Sequence, residues 1–185
     1  MVSVLVWVIL GLAVLLAVIF IYYYNRFIVL ENRIKNSSAQ IDVQLKRRAD
    51  LVPNLVESVK GFAKHEKAIM TEVTNARVAL VRSTNLKDKV KAGDRLQDAL
   101  KSIFAIAENY PNLRSNENFL QLQQELSSIE DKVAYSRQYY NDSILELENI
   151  SQSFPGVFFF KLYGRKKQEY LKITEAERKN VKVEF

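Results

Sequence analysis

IKNSSAQIDVQLKRRADLVPNLVESVKGFAKHEKAIMTEVTNARVAL, residues Ile34 to Leu80, is the stretch that decides the fold. An unbroken 4,3 spacing runs through Ile34, Ser38, Ile41, Leu45, Arg48, Val52, Leu55, Val59, Phe62, Glu66, Ile69, Val73, Ala76 and Leu80. Eleven of these fourteen are apolar, and heptads sustained over this length make a narrow seam for packing against other helices at a shallow angle. A second run does the same through Phe119, Leu122, Leu126, Ile129, Val133, Ser136, Tyr140, Ser143, Leu147, Ile150 and Phe154. Between the two, Leu96, Leu100, Ile103, Phe104 and Ala107 mark a shorter amphipathic helix. Three prolines, five glycines and almost no alternation of Val, Ile and Thr before the last few residues agree with an all-α chain.

The breaks follow from the same pattern. STNLKDKVKAGD, Ser83 to Asp94, reads as a solvated loop or frayed turn, and Tyr110-Pro111-Asn112 ends the short helix. Pro53 has two readings. The register passes straight through it, which allows a kinked continuous helix lacking the bond to the Ala49 carbonyl. Alternatively, Asp50 caps a new helix with Pro53 in its first turn, where no intrahelical donor is missed. We favour a break or sharp kink. The sequence then predicts four antiparallel helices of about 26–50, 54–82, 95–109 and 116–153, an elongated up-and-down bundle with coiled-coil-like packing over residues 26–153.

Outward from the bundle on the N-terminal side, Met1 to Asn25 carries no charged side chain, and Val2 to Tyr24 is apolar apart from Ser3. At about 1.5 Å per residue this run reaches about 34 Å, enough to cross a hydrocarbon core of about 30 Å. Trp7 lies toward one end and Tyr22, Tyr23 and Tyr24 cluster at the other, where amphipathic rings favour the headgroup zone. A cleaved signal peptide would need a basic n-region, a shorter apolar stretch and a small-residue cleavage site, and these are missing; a core helix of a soluble protein is rarely so uniformly apolar. Residues 1–25 therefore read as a single transmembrane anchor. Arg26, Arg33 and Lys35 follow at once and no Lys or Arg precedes, so the positive-inside rule puts the N-terminus outside and the C-terminal domain in the cytoplasm.

On the C-terminal side, SFPGVFFFKLYGRKKQEYLK, Ser153 to Lys172, sets Phe158, Phe159, Phe160 and Tyr163 beside Lys161, Arg165, Lys166 and Lys167. Within residues 154–185, aromatics interleaved with cations suit the headgroups of an anionic leaflet, and equally suit a plug for the open end of the bundle. The net charge of +6 lies wholly in residues 26–185, and a cytoplasmic membrane face accounts for it. No sheet or aromatic-bearing RNA-binding motif accompanies the segment, so nucleic acid is not an expected partner. The chain has no cysteine, which excludes disulfides, a lipoprotein anchor and a thiolate metal site.

AQIDVQLKRRADLVPNLVESVKGFAKHE, Ala39 to Glu66, closely resembles the signature of the LemA family. The resemblance is renewed by NENFLQLQQELSSIEDKVAYSRQYYND, Asn116 to Asp142, by SFPG and LYGRKKQEYL, and by the closing VKVEF. It covers nearly the whole chain and departs near Ser83 to Asp94, where family members vary in length. It implies a bacterial or archaeal single-pass membrane protein with an up-and-down helical bundle, and no enzymatic activity. It also implies relatives in magnetotactic bacteria that sit on membrane-bounded organelles, which favours a membrane-organising role.

Arg47, Arg48, Asp50, Asn54, Glu66, Glu130, Arg137 and Asn141 are dense in these stretches, and Arg48 and Glu66 occupy seam positions. A buried charge at a seam needs a partner, so these residues read as an ion-pair and hydrogen-bond network that sets register between helices. They make poor catalysts. His65 is the only histidine and lacks HExxH geometry, carboxylate pairs such as Glu125 and Glu130 are common on helical bundles, and no phosphate loop or nucleophile elbow is present. No catalytic, metal or cofactor site is expected. The leading expectation is a membrane-tethered scaffold that forms a homo-oligomer or docks an unidentified protein partner. A membrane-surface binding or shaping protein that contacts lipid is second, and an unrecognised enzyme third.

Overall fold

A computed structural model describes residues 2–63 and 65–171. Residues 172–185 lie outside the described residues, and with them Lys172, the VKVEF stretch and the end of the C-terminal segment. The described chain is all-helical: α1 (Val2–Lys60), α2 (Lys67–Arg82), α3 (Leu86–Ala107), α4 (Pro111–Arg114), α5 (Glu117–Gln152) and α6 (Gly156–Leu162).

The predicted break at Pro53 does not occur; α1 continues through it to Lys60. Pro53 has no N–H to offer the Ala49 carbonyl four residues earlier, and Arg77 of α2 supplies the donor instead, its Nε lying 2.8 Å from that oxygen. Tertiary structure thus satisfies the group that would otherwise favour a break. The break falls after Lys60, where Gly61 begins a turn and the Phe62 and Ala63 amides both bond to the Val59 carbonyl at 3.0 and 2.9 Å. The seam is interrupted there: Val52, Leu55 and Val59 are buried, whereas Phe62 is exposed and Ala63 is buried in its place.

The expected loop at Ser83 to Asp94 is mostly helix. Asn85 caps α3 by accepting from the Asp88 amide at 2.9 Å, leaving only three residues, 83–85, between α2 and α3. Lys87, Asp88 and Lys91 are exposed, while Val90, Ala92 and Gly93 are buried on the other side. Gly93 permits the close approach of α1, because a Cβ there would come within 2.6 Å of Leu45 Cδ2. Along α5 the stripe widens beyond a strict heptad, with Arg137 and Ile144 buried beside Val133, Tyr140 and Leu147. A straight helix drifts in this way relative to a 3.5 repeat.

The described chain divides into two compact units. One comprises residues 2–37 and 139–170, with Phe27, Leu30, Ile34, Ile144 and Leu147 in its core. The other comprises residues 38–138 with Leu171, and packs the remainder of α1 with α2, α3 and the first part of α5 around Ile41, Leu45, Val73, Leu96, Ile103 and Phe119.

Candidate functional site

In the unit of residues 38–138, Arg48 projects from the α1 seam and is only 1% exposed. Its guanidinium pairs with Glu130 of α5 and donates to the Gly93 carbonyl of α3 at 3.2 Å. Burial pushes the guanidinium down from its usual range, while Glu130 and, more weakly, Asp94 pull it back up. Nearby, Arg137 of α5 holds Asp94 of α3 at 2.9 Å. One cluster of two arginines and two acids thus ties α1, α3 and α5 together. Of the residues expected in a polar network, Arg48, Glu130 and Arg137 meet in it.

Arg47, Asp50 and Asn54 lie on the exposed side of α1, since they fall between the seam positions. Glu66 stands half-buried in the turn before α2, within 3.5 Å of the Tyr110 hydroxyl, because the helix break removes it from the seam. Asn141 is half-buried on α5 in the other unit. His65 is exposed, and the described residues contain no group of three or more His, Asp or Glu placed to hold a metal. A cleft of about 420 Å³ in the same unit is lined by Leu45, Ala49, Arg77, Leu80 and the Asp42–Lys89 pair, whose ions are 2.6 Å apart.

The unit of residues 2–37 and 139–170 has a different character. From Val4 to Tyr24 the large apolar side chains of α1 lie exposed except Ile19 and Tyr23, and the helix is long and apolar enough to cross a membrane. Trp7, Tyr22 and Tyr24 are among the exposed residues. Arg26 and Arg33 both pair with Glu146 of α5, Arg33 at 3.2 Å.

Helix α6 packs on the end of this apolar stretch. Phe159 stacks on Tyr23 at 5.0 Å between centroids, Phe160 meets Phe27 edge-on at 5.6 Å, and the Tyr163 hydroxyl donates to the Phe20 carbonyl at 2.8 Å. Arg165 pairs with Glu31 and lies against the rings of Tyr24, Phe27 and Tyr163. Of the eight residues expected at a membrane surface, Phe159, Phe160, Tyr163 and Arg165 therefore face protein. Phe158, Lys161, Lys166 and Lys167 remain exposed. The sequence reading missed Phe20, Phe27 and Glu31 as partners of this segment, because nothing local to α1 marks them as a docking face.

A family model described as the LemA family matches residues 37–185. Protein LemA of Metamycoplasma hominis is 28% identical over 115 residues, covering 60% of this chain and 51% of its own length. Magnetosome protein MamQ of Magnetospirillum gryphiswaldense is 24% identical over 173 residues, covering 80% of this chain and 64% of its own. Magnetosome protein MamQ 2 of Paramagnetospirillum magneticum is 22% identical over 179 residues, 83% of this chain and 66% of its own. The chain spans between about half and two thirds of the length of these curated relatives.

Proposed function

We propose that this chain, which belongs to the LemA family, is a membrane-tethered helical scaffold without enzymatic activity, docking a second copy or a protein partner from the unit of residues 38–138. The observation that carries the reading is the apolar stretch of α1 left exposed from Val4 to Tyr24, continuing without a loop into seam residues that pack that unit. Apolar area of this extent is stable only in lipid or against other protein. A structural role for the polar cluster is supported by its chemistry: Arg48 and Arg137 are matched to Glu130 and Asp94, so their charge specifies helix pairing. Relatives named as magnetosome proteins fit a component of an assembly.

The test is cross-linking of the full chain in native membranes from a photoreactive residue at Tyr135 or Val81, both strongly exposed in that unit. A discrete adduct with a second copy or one other protein is expected. Absence of any protein adduct, with a monomeric mass in lipid nanodiscs, would sink the scaffold reading.

Topology has its own measurement. Arg26, Arg33 and Lys35 at the end of the apolar stretch support a cytoplasmic side for residues 38–138 under the positive-inside rule. Because the chain has no cysteine, Tyr135→Cys creates a single thiol. A membrane-impermeant maleimide should label it only after lysis, and labelling in intact cells would reverse the orientation.

A further inference from the structure

Helix α6 has two faces. Gly156 is buried and Phe159, Phe160 and Tyr163 turn toward α1, while Phe158, Lys161 and Leu162 turn away. At 100° per residue these are opposite sides of one short helix. The outward side is not polar: Phe158 is 62% exposed, Leu162 one turn on is 58% exposed, and Phe154 just before the helix is 89% exposed. The position of this patch is set by the inner face, whose rings rest on Phe20, Tyr23 and Phe27. Those residues mark the end of the exposed apolar stretch of α1, among the tyrosines that favour the headgroup zone. The apolar surface of α6 therefore continues the apolar surface of the anchor.

We propose that α6 is a second membrane contact, with Phe154, Phe158 and Leu162 immersed at the boundary between headgroups and acyl chains of the leaflet where α1 emerges. The occupant is lipid, because the patch adjoins a helix whose own exposed side chains are apolar over the preceding turns. Lys161 shares the outward face and extends its ammonium to the phosphates while its stem lies along the apolar side chains. Exposed Lys166 and Lys167 follow within the next turn's length of chain, adding charge attraction to anionic lipid. Phe159, Phe160, Tyr163 and Arg165 form the protein side of the contact and hold α6 at that depth. The inference rests on α1 being anchored in the bilayer.

The test uses four single-cysteine variants of the full chain, each spin-labelled and reconstituted in vesicles of mixed neutral and anionic phospholipid. Leu10→Cys reports the anchor, Tyr135→Cys the aqueous control, and Phe158→Cys and Leu162→Cys the two positions of α6. Labels at 158 and 162 are expected to collide more with oxygen than with a water-soluble nickel chelate, as the label at 10 does, and opposite to the label at 135. If 10 reports lipid while 158 and 162 report water, the α6 contact is overturned and the anchor stands. Water access at 10 overturns the anchor and the inference with it. Labels at 158 and 162 shielded from both reagents indicate a protein cover and also overturn it. Two positions are used so that misfolding of one variant leaves the other to decide.

Discussion

Each of the two units covers most of an arginine side chain, and each answers it differently. Arg48 in the unit of residues 38–138 sits in an aliphatic seam, matched by the Glu130 carboxylate and the Gly93 carbonyl. Arg165 in the unit of residues 2–37 and 139–170 is matched by Glu31 and lies against three aromatic rings. In the seam, loss of the acid leaves Arg48 with the neutral Gly93 carbonyl and only the weaker pull of Asp94, so most of a buried charge goes unmatched. Against rings, part of the stabilisation comes from the π faces and survives loss of the acid. The first arrangement selects one pairing of helices; the second tolerates change.

The largest effect is expected where the contrast is greatest. Glu130→Ala should destabilise the full chain in detergent micelles by about 3–5 kcal/mol, read from the urea midpoint by circular dichroism, because it leaves Arg48 buried without its acid. Glu31→Ala should lower the same midpoint much less. Equal losses would show that both arginines depend on their acids alone.

The glycines reverse the order of the two units at a smaller scale. A Cβ at Gly156 would lie 2.0 Å from the Ile150 carbonyl oxygen, which is backbone, whereas at Gly93 the nearest atom is the mobile end of Leu45 at 2.6 Å. Gly156→Ala should cost about 1–3 kcal/mol through backbone displacement. Gly93→Ala should stay within about 1 kcal/mol of neutral, because helix propensity offsets the crowding. Thermal unfolding of both variants in one detergent decides, and a larger loss at Gly93 would contradict the assignment.

Arg77 and Pro53 form a testable pair within the unit of residues 38–138. Arg77→Ala should cost about 1–2 kcal/mol by leaving the Ala49 carbonyl without a donor. In a Pro53→Ala background, an N–H at position 53 closes the helical bond and the same substitution should cost only a few tenths. A double-mutant cycle with no coupling would show that Arg77 acts through something else.

The smallest effect concerns Tyr140, whose hydroxyl donates to the Glu169 carbonyl at 3.3 Å. Burial, aided by the Glu169 carboxylate, raises the Tyr140 hydroxyl above its usual value near 10. The folded state therefore holds this proton longer than the unfolded chain, and the associated stability is present below about pH 10 and lost as pH rises through the folded value. Tyr140→Phe should cost about 0.5–1.5 kcal/mol near neutral pH. The gap from the parent protein should narrow above about pH 10; a gap that widens would break the assignment.

Much of this molecule was legible from spacing. The apolar run to Tyr24, the buried series from Ile41 to Val59 and the need of Arg48 for a partner are visible because burial on a helix repeats along the chain. Two features were misread and a third was left between two readings. Pro53 signalled a break, since the donor that rescues Ala49 comes from a residue 28 positions away. Lys87, Asp88, Lys89 and Lys91 signalled a loop, since a polar outer face obscures the small buried residues Ala92 and Gly93. Phe159, Phe160 and Arg165 allowed lipid contact and a plug for the bundle end alike, since rings and cations serve a membrane surface and an intramolecular stack equally.

The sequence by itself determined the all-helical character, the exposed apolar stretch and which α1 positions turn inward, because these depend on side chains a few residues apart on one helix. Only the tertiary structure decided that Glu130, 82 positions from Arg48, is its acid, that Arg77 makes Pro53 tolerable, and that α6 gives one face to α1 and another outward. Such pairings depend on where turns bring distant segments together. A periodic pattern states that a side chain is covered without stating by what.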